Sequence, residues 1–422
     1  MTNLNYTTTI AIDTNLSVFH FYSMVGNNVA SITHHIKSYT GSLFDEEFFS
    51  KFKDAIKEFT QNTPSESIRK VTVILPDNAV LTDTVRIPTL RGFGQTKKML
   101  EVTLSGLYRN YDDLHIISHV ADQNKQYSTF TVAAVQKRIV TSIYAACAEN
   151  KLLVDTLTYA SSSAVCGASM IDPALKGASF LFLDIKEMYS RFVFVAKGKT
   201  VGSYMLPFGL EFLKKPKVIQ EDMLFDHSYA ELTVLNARER ARSKKLTVMA
   251  LGEDSSNDAT ENEDEADVLM MGNESDNEED TLDENAAEEE VTVPEEMVTS
   301  RTQANPKIFA RKSPRKLPKF MQREIPEDEE GITYENFRVF VKWALTLMNE
   351  NGSLTELGKP ESVCVNIPRD LLNILGKANT EVEDSEIIFT RLATSKEGAT
   401  VLENLELYGG LFPKQIAINC KF

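Results

Sequence analysis

A chain of 422 residues with 42% hydrophobic content is long enough for two or three domains and has ordinary apolar material to fill their cores. Its formal net charge of −16 is local, because residues 253–296 hold twenty acids and no Lys or Arg, which excludes an acidic globule. No apolar run approaches the roughly 18–20 residues that span a bilayer, and four isolated cysteines (Cys147, Cys166, Cys364, Cys420) with no CxxC pair suit a reducing compartment rather than metal or disulfide use. The opening MTNLNYTTT has neither a basic start nor an apolar core, so the expectation is a cytoplasmic protein whose membrane association comes through a partner.

Residues 7–13, 17–25 and 29–39 alternate apolar and polar side chains. Asp13-Thr14-Asn15 and Asn27-Asn28 supply turn chemistry, which predicts an antiparallel meander. Residues 44–61 place Phe44, Phe48, Phe52, Ile56 and Phe59 at helical spacing. Asp45, Glu46 and Glu47 suit the positive end of that helix's dipole. A strand at 70–75 stops at Pro76. A unit of different character follows from about 82 to 142: an edge strand ending at Ile87-Pro88, an amphipathic helix over 95–108, strands at 114–121 and 126–134, and a helix from about 136 to 150. Residues 152–157 read as a strand. The small-residue run 160–169 reads as a helix packed tightly on a sheet.

The strongest β signal lies at 179–211. One strand ends in Asp184-Ile185-Lys186, a second spans 191–196, and a third, after the Lys197-Gly198-Lys199 turn, runs over 200–206 into Pro207-Phe208-Gly209. Helical pieces are expected near 219–225 and 230–242. Residues 253–296 lack aromatic side chains and cannot bury enough apolar surface to offset their ordering entropy. Residues 301–323 invert the charge with Lys307, Arg311, Lys312, Arg315, Lys316, Lys319 and Arg323. Both tracts are expected to be disordered or loosely paired, and no nucleic-acid fold accompanies the basic one. A helix from 333 on carries Phe337, Phe340, Val341, Trp343, Ala344 and Leu347. A strand at 362–367, a short helix at 368–375, a Gly409-Gly410 turn and a final apolar strand or helix complete the chain.

The order of these elements, with Ile10-Ala11-Ile12-Asp13, Val71–Pro76 followed by Val85-Arg86-Ile87-Pro88, Leu152–Leu157, Phe182-Leu183-Asp184-Ile185 and Leu206-Pro207-Phe208-Gly209, resembles the PilM-type actin-like ATPases of type IV pilus assembly and, more distantly, FtsA of the division ring. The resemblance implies an α/β, two-lobed, ribonuclease-H-like fold. Its first lobe would comprise 1–78 and 146–178, an inserted α+β subdomain 79–145, a second lobe 179–252 and 331–422, and a disordered insertion 253–330. It also implies a cytosolic scaffold that receives the cytosolic peptide of a bitopic, PilN-like membrane protein beside the 82–142 unit. Self-association is left open, and no direct membrane insertion or nucleic-acid binding is expected.

By the same resemblance the nucleotide-facing residues are Asp13, Thr14, Asn15, Asp184, Lys186 and Gly209, with Asp13 and Asp184 on Mg²⁺ if Mg-ATP binds. Phosphate loops of this kind use glycine so that backbone N–H groups can close on the phosphates. Here glycine is missing from both Asp13-Thr14-Asn15 and Asp184-Ile185-Lys186, and Asn366-Ile367-Pro368-Arg369 stands where a Gly-Gly turn is expected. A degenerate ATPase without cofactor is the expectation, and an active, Mg-ATP-binding, FtsA-like filament protein is the alternative. Asp13 and Asp184 either hold Mg²⁺ through water or are turn residues bonded to local backbone. Lys186 either meets a phosphate or pairs with Asp13 or Asp184. A sugar or acid kinase on this fold would need the missing glycines even more.

Other candidates are weaker. Gly92-Phe93-Gly94-Gln95-Thr96-Lys97 lacks the spacing of a Walker loop and reads as a flexible loop before a helix. His115 and His119 share a strand face without a third ligand, and His34-His35 point to opposite faces. No nucleophile–base pair stands out.

Overall fold

The first meander forms because alternating Ile10, Ile12, Phe19 and Phe21 give one apolar face that must be covered. β1 (Tyr6–Asp13) pairs antiparallel with β2 (Val18–Val25), and β2 with β3 (Thr33–Ser38). The third strand is shorter than expected. Val29–Ser31 is a 3-10 turn because the Asn28 carboxamide accepts from Ala30 N, a local bond that competes with the ladder. The face is covered by α1 (Glu46–Asn62), whose Phe48, Phe52, Ile56 and Phe59 are buried; Phe19 lies 5.4 and 5.2 Å from the Phe48 and Phe52 rings. The sheet is completed by β4 (Lys70–Leu75), parallel to β1, and β8 (Leu153–Tyr159), parallel to β4, in the order β3-β2-β1-β4-β8.

Between β4 and β8 lies a separate small layer: β5 (Leu81–Pro88), α2 (Phe93–Leu107), β6 (Leu114–Gln123) and β7 (Tyr127–Gln136), an antiparallel sheet of order β5-β7-β6. It has its own core of Val85, Ile87, Leu100, Leu104, Phe130 and Val132. The glycine-containing run expected to be a loop belongs in part to α2, which begins at Phe93. The helices α3 (Lys137–Glu149) and α4 (Ala160–Ile171) follow the small sheet and β8 respectively.

The second large sheet repeats the first. β9 (Phe180–Ile185), β10 (Ser190–Ala196) and β11 (Lys199–Leu206) form an antiparallel meander. β12 (Ser362–Asn366) lies parallel to β9, and β13 (Ile388–Arg391), which sequence patterning did not anticipate, lies parallel to β12. The order β11-β10-β9-β12-β13 matches that of the first sheet strand for strand. Phe192 meets Phe340 of α5 (Glu329–Glu350), while Ala164, Val165 and Ala168 of α4 join Phe180, Phe182 and Val193 in the core. Two short helices, α6 (Ala399–Glu403) and α7 (Leu405–Gly410), end the described chain, and α7 covers Ala11, Tyr22 and Ile74 on the far face of the first sheet. Two sheets of the same order, antiparallel on one side and parallel on the other, with an α+β insertion between β4 and β8, constitute the two-lobed actin-like α/β fold.

This computed structural model describes residues 6–213 apart from 27, 44, 63–69, 91–92, 109–110, 188, 207–208 and 211–212, together with 329–350, 360, 362–367, 371, 388–392 and 399–416. The expected helices near 219–225 and 230–242, that at 368–375 apart from Leu371, the charged tracts at 253–323, residues 417–422 of the final segment and with them Cys420 lie outside these residues. Two expectations are corrected. Gly409 and Gly410 are the last turn of α7, not a loop turn. The helix expected from 333 begins at Glu329.

Candidate functional site

The two hairpins expected to face a nucleotide are both present, but their polar atoms have other partners. In the β1–β2 turn, Asp13 Oδ1 accepts from the backbone N–H of Asn15 (2.8 Å) and Leu16 (3.0 Å), closing the turn with its own side chain. Its Oδ2 lies 3.7 Å from His20 Nε2. Thr14 Oγ1 donates to Asn78 Oδ1 (3.2 Å), and Asn15 Nδ2 reaches Met205 Sδ (3.7 Å), so the tip of the turn is tied to two neighbouring elements. Where a phosphate loop would bare its N–H groups, this turn spends them on Asp13.

Asp184, at the end of β9, is fully buried and engaged at both oxygens. Oδ1 accepts from Asn366 Nδ2 at 2.9 Å. Oδ2 accepts from Arg191 Nη1 at 2.9 Å and has Lys186 Nζ at 3.5 Å. Arg191, on β10 and 2% exposed, also donates from Nε to Asp77 Oδ2 at 2.7 Å. Asp77 stands in the turn that follows β4, and its Oδ1 accepts from Ser161 N at the start of α4. Glu406 of α7 completes the cluster, 3.3 Å from Lys186 and 3.7 Å from Arg191. Two cations therefore meet three carboxylates in a nearly dry cleft between the large sheets.

The electrostatics are mutual. Burial by itself would raise the Glu406 carboxyl, but Lys186 and Arg191 outweigh it and bring it from 4.5 down to about 2. Burial opposes the charge on Lys186, yet Asp184 and Glu406 hold its ammonium above the ordinary value. Arg191 is held well above its ordinary value by Asp77, Tyr189, Glu406 and Asp184 against the same desolvation. Tyr189 is pushed well up, by burial first; the charges of Glu406, Asp13 and Asp184 add to this and Arg191 opposes it, so the phenol senses both hairpins.

The chemistry of this donor set can be compared with what a metal–nucleotide requires. Magnesium takes oxygen ligands in octahedral geometry and keeps several of its waters. Asp184 presents no uncommitted oxygen and no wet surface, and the charge beside it is a guanidinium in bidentate reach of two carboxylates. These residues fit a fixed arginine and do not fit a hydrated cation. Gly209 packs against the turn between β9 and β10. A Cβ there would run into the Lys186 and Glu187 carbonyls, and Leu210 N donates to Lys186 O at 2.7 Å. Its lack of a side chain serves chain-to-chain packing.

Of the residues expected at the site, Asp184, Lys186 and Gly209 come together, while Asp13, Thr14 and Asn15 line the opposite hairpin. Sequence patterning missed Asp77, Arg191 and Glu406, and saw Asn366 only as a replaced glycine. One signal was available: Arg191 is the single charge in the otherwise apolar strand SRFVFVA, and a buried arginine demands carboxylates. His115 and His119 sit on β6 with burial lowering both. Among the described residues no group of three or more His, Cys, Asp or Glu is placed to hold a metal. Cys147, Cys166 and Cys364 are buried in the core outside any disulfide, and burial pushes the first two thiols up to about 12, which removes their nucleophilicity.

No family model matches the sequence, and no curated protein matches it. Among solved structures the chain is similar to the PilM–PilN type IV pilus biogenesis complex, at 10% identity and a TM-score of 0.48, over 98% of this chain and 97% of that one. It is also similar to the cytoplasmic domain of EpsL, an inner-membrane component of the type II secretion system of Vibrio cholerae (11% identity, TM-score 0.34, 51% of this chain and 76% of that one). A third is a Bacteroides thetaiotaomicron VPI-5482 protein of unknown function with an actin-like ATPase fold (12% identity, TM-score 0.26, 48% and 70%). At about one identical residue in ten these are likenesses of chain path, and the fold assignment rests on the paired sheet topology.

Proposed function

We propose that this chain is an actin-fold scaffold of a type IV pilus-like or secretion-like membrane assembly, a PilM-type pseudo-ATPase that works without nucleotide. The observation that carries the nucleotide-free part is the commitment of Asp184 to Arg191, Lys186 and Asn366, with Asp13 spent on its own turn. Lys186 pairs with Asp184 and Glu406, which engages the ammonium that would otherwise meet a phosphate. The partner class comes from the sequence resemblance: a bitopic, PilN-like protein whose cytosolic peptide docks beside the β5–β7–β6 unit. On that unit Met99 (36% exposed) and Val102 (68%) of α2 leave apolar surface outward. Association with the membrane then runs through the partner, and no described helix is long and apolar enough to cross a bilayer.

The nucleotide-free part is tested by melting the protein with and without millimolar Mg-ATP. The expected result is an unchanged melting temperature. A ligand at 100 times its Kd adds about 2.7 kcal/mol, so a rise of several degrees would show nucleotide binding and overturn the nucleotide-free part. For the partner, photo-crosslinkers at positions 99 and 102 should capture a single-pass membrane protein through its cytosolic segment. Exclusive capture of soluble proteins would sink that part.

A further inference from the structure

We propose that Arg191 is a built-in latch: an internal cation that holds the cleft between the large sheets closed with no ligand, at one end of a seam continuing along β5 and β11. The inference deepens the nucleotide-free reading and rests on it in one respect, that a cleft filled by its own arginine has no need of a bound cation.

Arg191 and Asp184 belong to the second sheet, whereas Asp77 belongs to the turn leaving the first. Asp77 follows β4 of the first sheet and accepts a second bond from Ser161 N, at the start of the helix that succeeds β8, so its carboxylate is held from two directions besides Arg191. With the guanidinium removed, two nearly dry carboxylates would confront each other across the cleft. With it present, Nε serves one and Nη1 the other through the planar fork that only arginine offers. The contact is thus not one surface ion pair but a buried bridge between elements of two sheets.

The seam continues from Asp77 into β5. Ser203 N of β11 donates to Thr82 Oγ1 (3.0 Å), and Thr84 Oγ1 donates to Val201 O (3.4 Å). Farther along, Lys199 Nζ donates to Val120 O (2.6 Å), and Lys197 pairs with Asp122 at 3.0 Å. These contacts are side chain to backbone or solvent-exposed, each worth little singly. Of the contacts named along this seam, the Arg191 bridge is the one that combines full burial with charge, so this end of the seam depends on it.

The experiment follows hydrogen exchange in the full chain carrying Asp77→Asn, which neutralises the cross-cleft carboxylate at constant shape. Exchange should accelerate by about tenfold or more over residues 199–206 and 81–88, while 180–185 and 362–366 inside the second sheet keep their protection. An equal acceleration in all four segments would reduce Arg191 to a contributor to global stability and overturn the latch. So would no acceleration at all. Should Asp77→Asn not accumulate as folded protein, Arg191→Lys keeps the charge but serves one carboxylate at a time, and is held to the same pattern. Wild-type protein in millimolar Mg-ATP provides the separating arm. Slowed exchange along the seam there would defeat the nucleotide-free reading whatever the variants do, whereas the variants alone judge the latch.

Discussion

Arg191 occupies a position where a strand of core residues would ordinarily carry valine or phenylalanine, and its neighbours Ser190 and Phe192 are both fully buried. Taking a guanidinium out of water costs several kcal/mol, which is recovered only when good carboxylate geometry satisfies it. Asp77 and Asp184 supply that geometry, and Asp184, for which the sequence left both a metal-holding and a turn role open, accepts from an internal cation. A second titratable pair flanks the cleft. His20 Nδ1 and His34 Nε2 are 2.9 Å apart on neighbouring strands, so one ring must donate and the other accept. Burial first, then the proximity of His20 and His35, brings His34 from 6.5 down to about 4, with Glu406 pulling weakly the other way. The folded protein therefore keeps His34 neutral at pH 5 while the unfolded chain protonates it. Its contribution is complete above pH 6.5 and is lost as pH falls toward 4, amounting to about 1–2 kcal/mol after allowance for partial exposure. Urea midpoints at pH 7.5 and 4.5 should differ by less in His34→Gln than in wild type; an equal difference would remove His34 from the pH response.

At the scale of elements, the contact between α4 and α7 decides how the two halves of the fold touch. Ser163 Oγ donates to Glu406 O at 2.6 Å, and the helices approach so closely that a Cβ on Gly167 would strike the Leu405 carbonyl and one on Gly409 the Ser163 carbonyl. The small-residue run 160–169 was legible as a tightly packed helix, and it does lie on the second sheet. That its other face receives a second helix, and that Gly409 belongs to that helix, was not legible, since a Gly-Gly pair reads locally as a turn. Either Gly167→Ala or Gly409→Ala should destabilise by about 1–3 kcal/mol or more in a denaturant titration, because backbone rather than a yielding side chain stands in the way. Gly94→Ala in α2, which has open space around it, serves as the control and should be neutral to slightly stabilising. Equal effects at the three positions would mean that the helix contact is not tight.

At the scale of the whole molecule, the duplicated sheet order explains why a chain with no family match still has a readable architecture. Each lobe's strands announce themselves by alternation and β-branched content, and the order of elements repeats. The strand β13 escaped notice because four residues, Ile388–Arg391, carry too short a signal and gain their identity from pairing with β12. The acidic and basic tracts at 253–323 contribute most of the net charge but little apolar material, so replacing 253–325 by a short Gly/Ser linker should leave the melting temperature within about a degree of wild type. It should also change the salt dependence of partner binding, since so dense a charge acts over a Debye length of about 10 Å at 0.1 M salt. A collapse of the fold on deletion would show that the tracts are structural.

The sequence by itself determined most of the local elements and the two meanders, because alternation, helical spacing and turn chemistry are properties of neighbours along the chain. The order of strands in each sheet, β13 included, came from the structure. It also determined that glycine is missing from both hairpins, which is a statement about composition at named positions. What occupies the cleft was decided only by tertiary structure. Asp77, Asp184, Arg191, Asn366 and Glu406 lie as much as 329 positions apart in the chain and interact only once two sheets and a C-terminal helix converge on one dry volume. Coulomb energy depends on distance and burial, and neither can be read from sequence spacing.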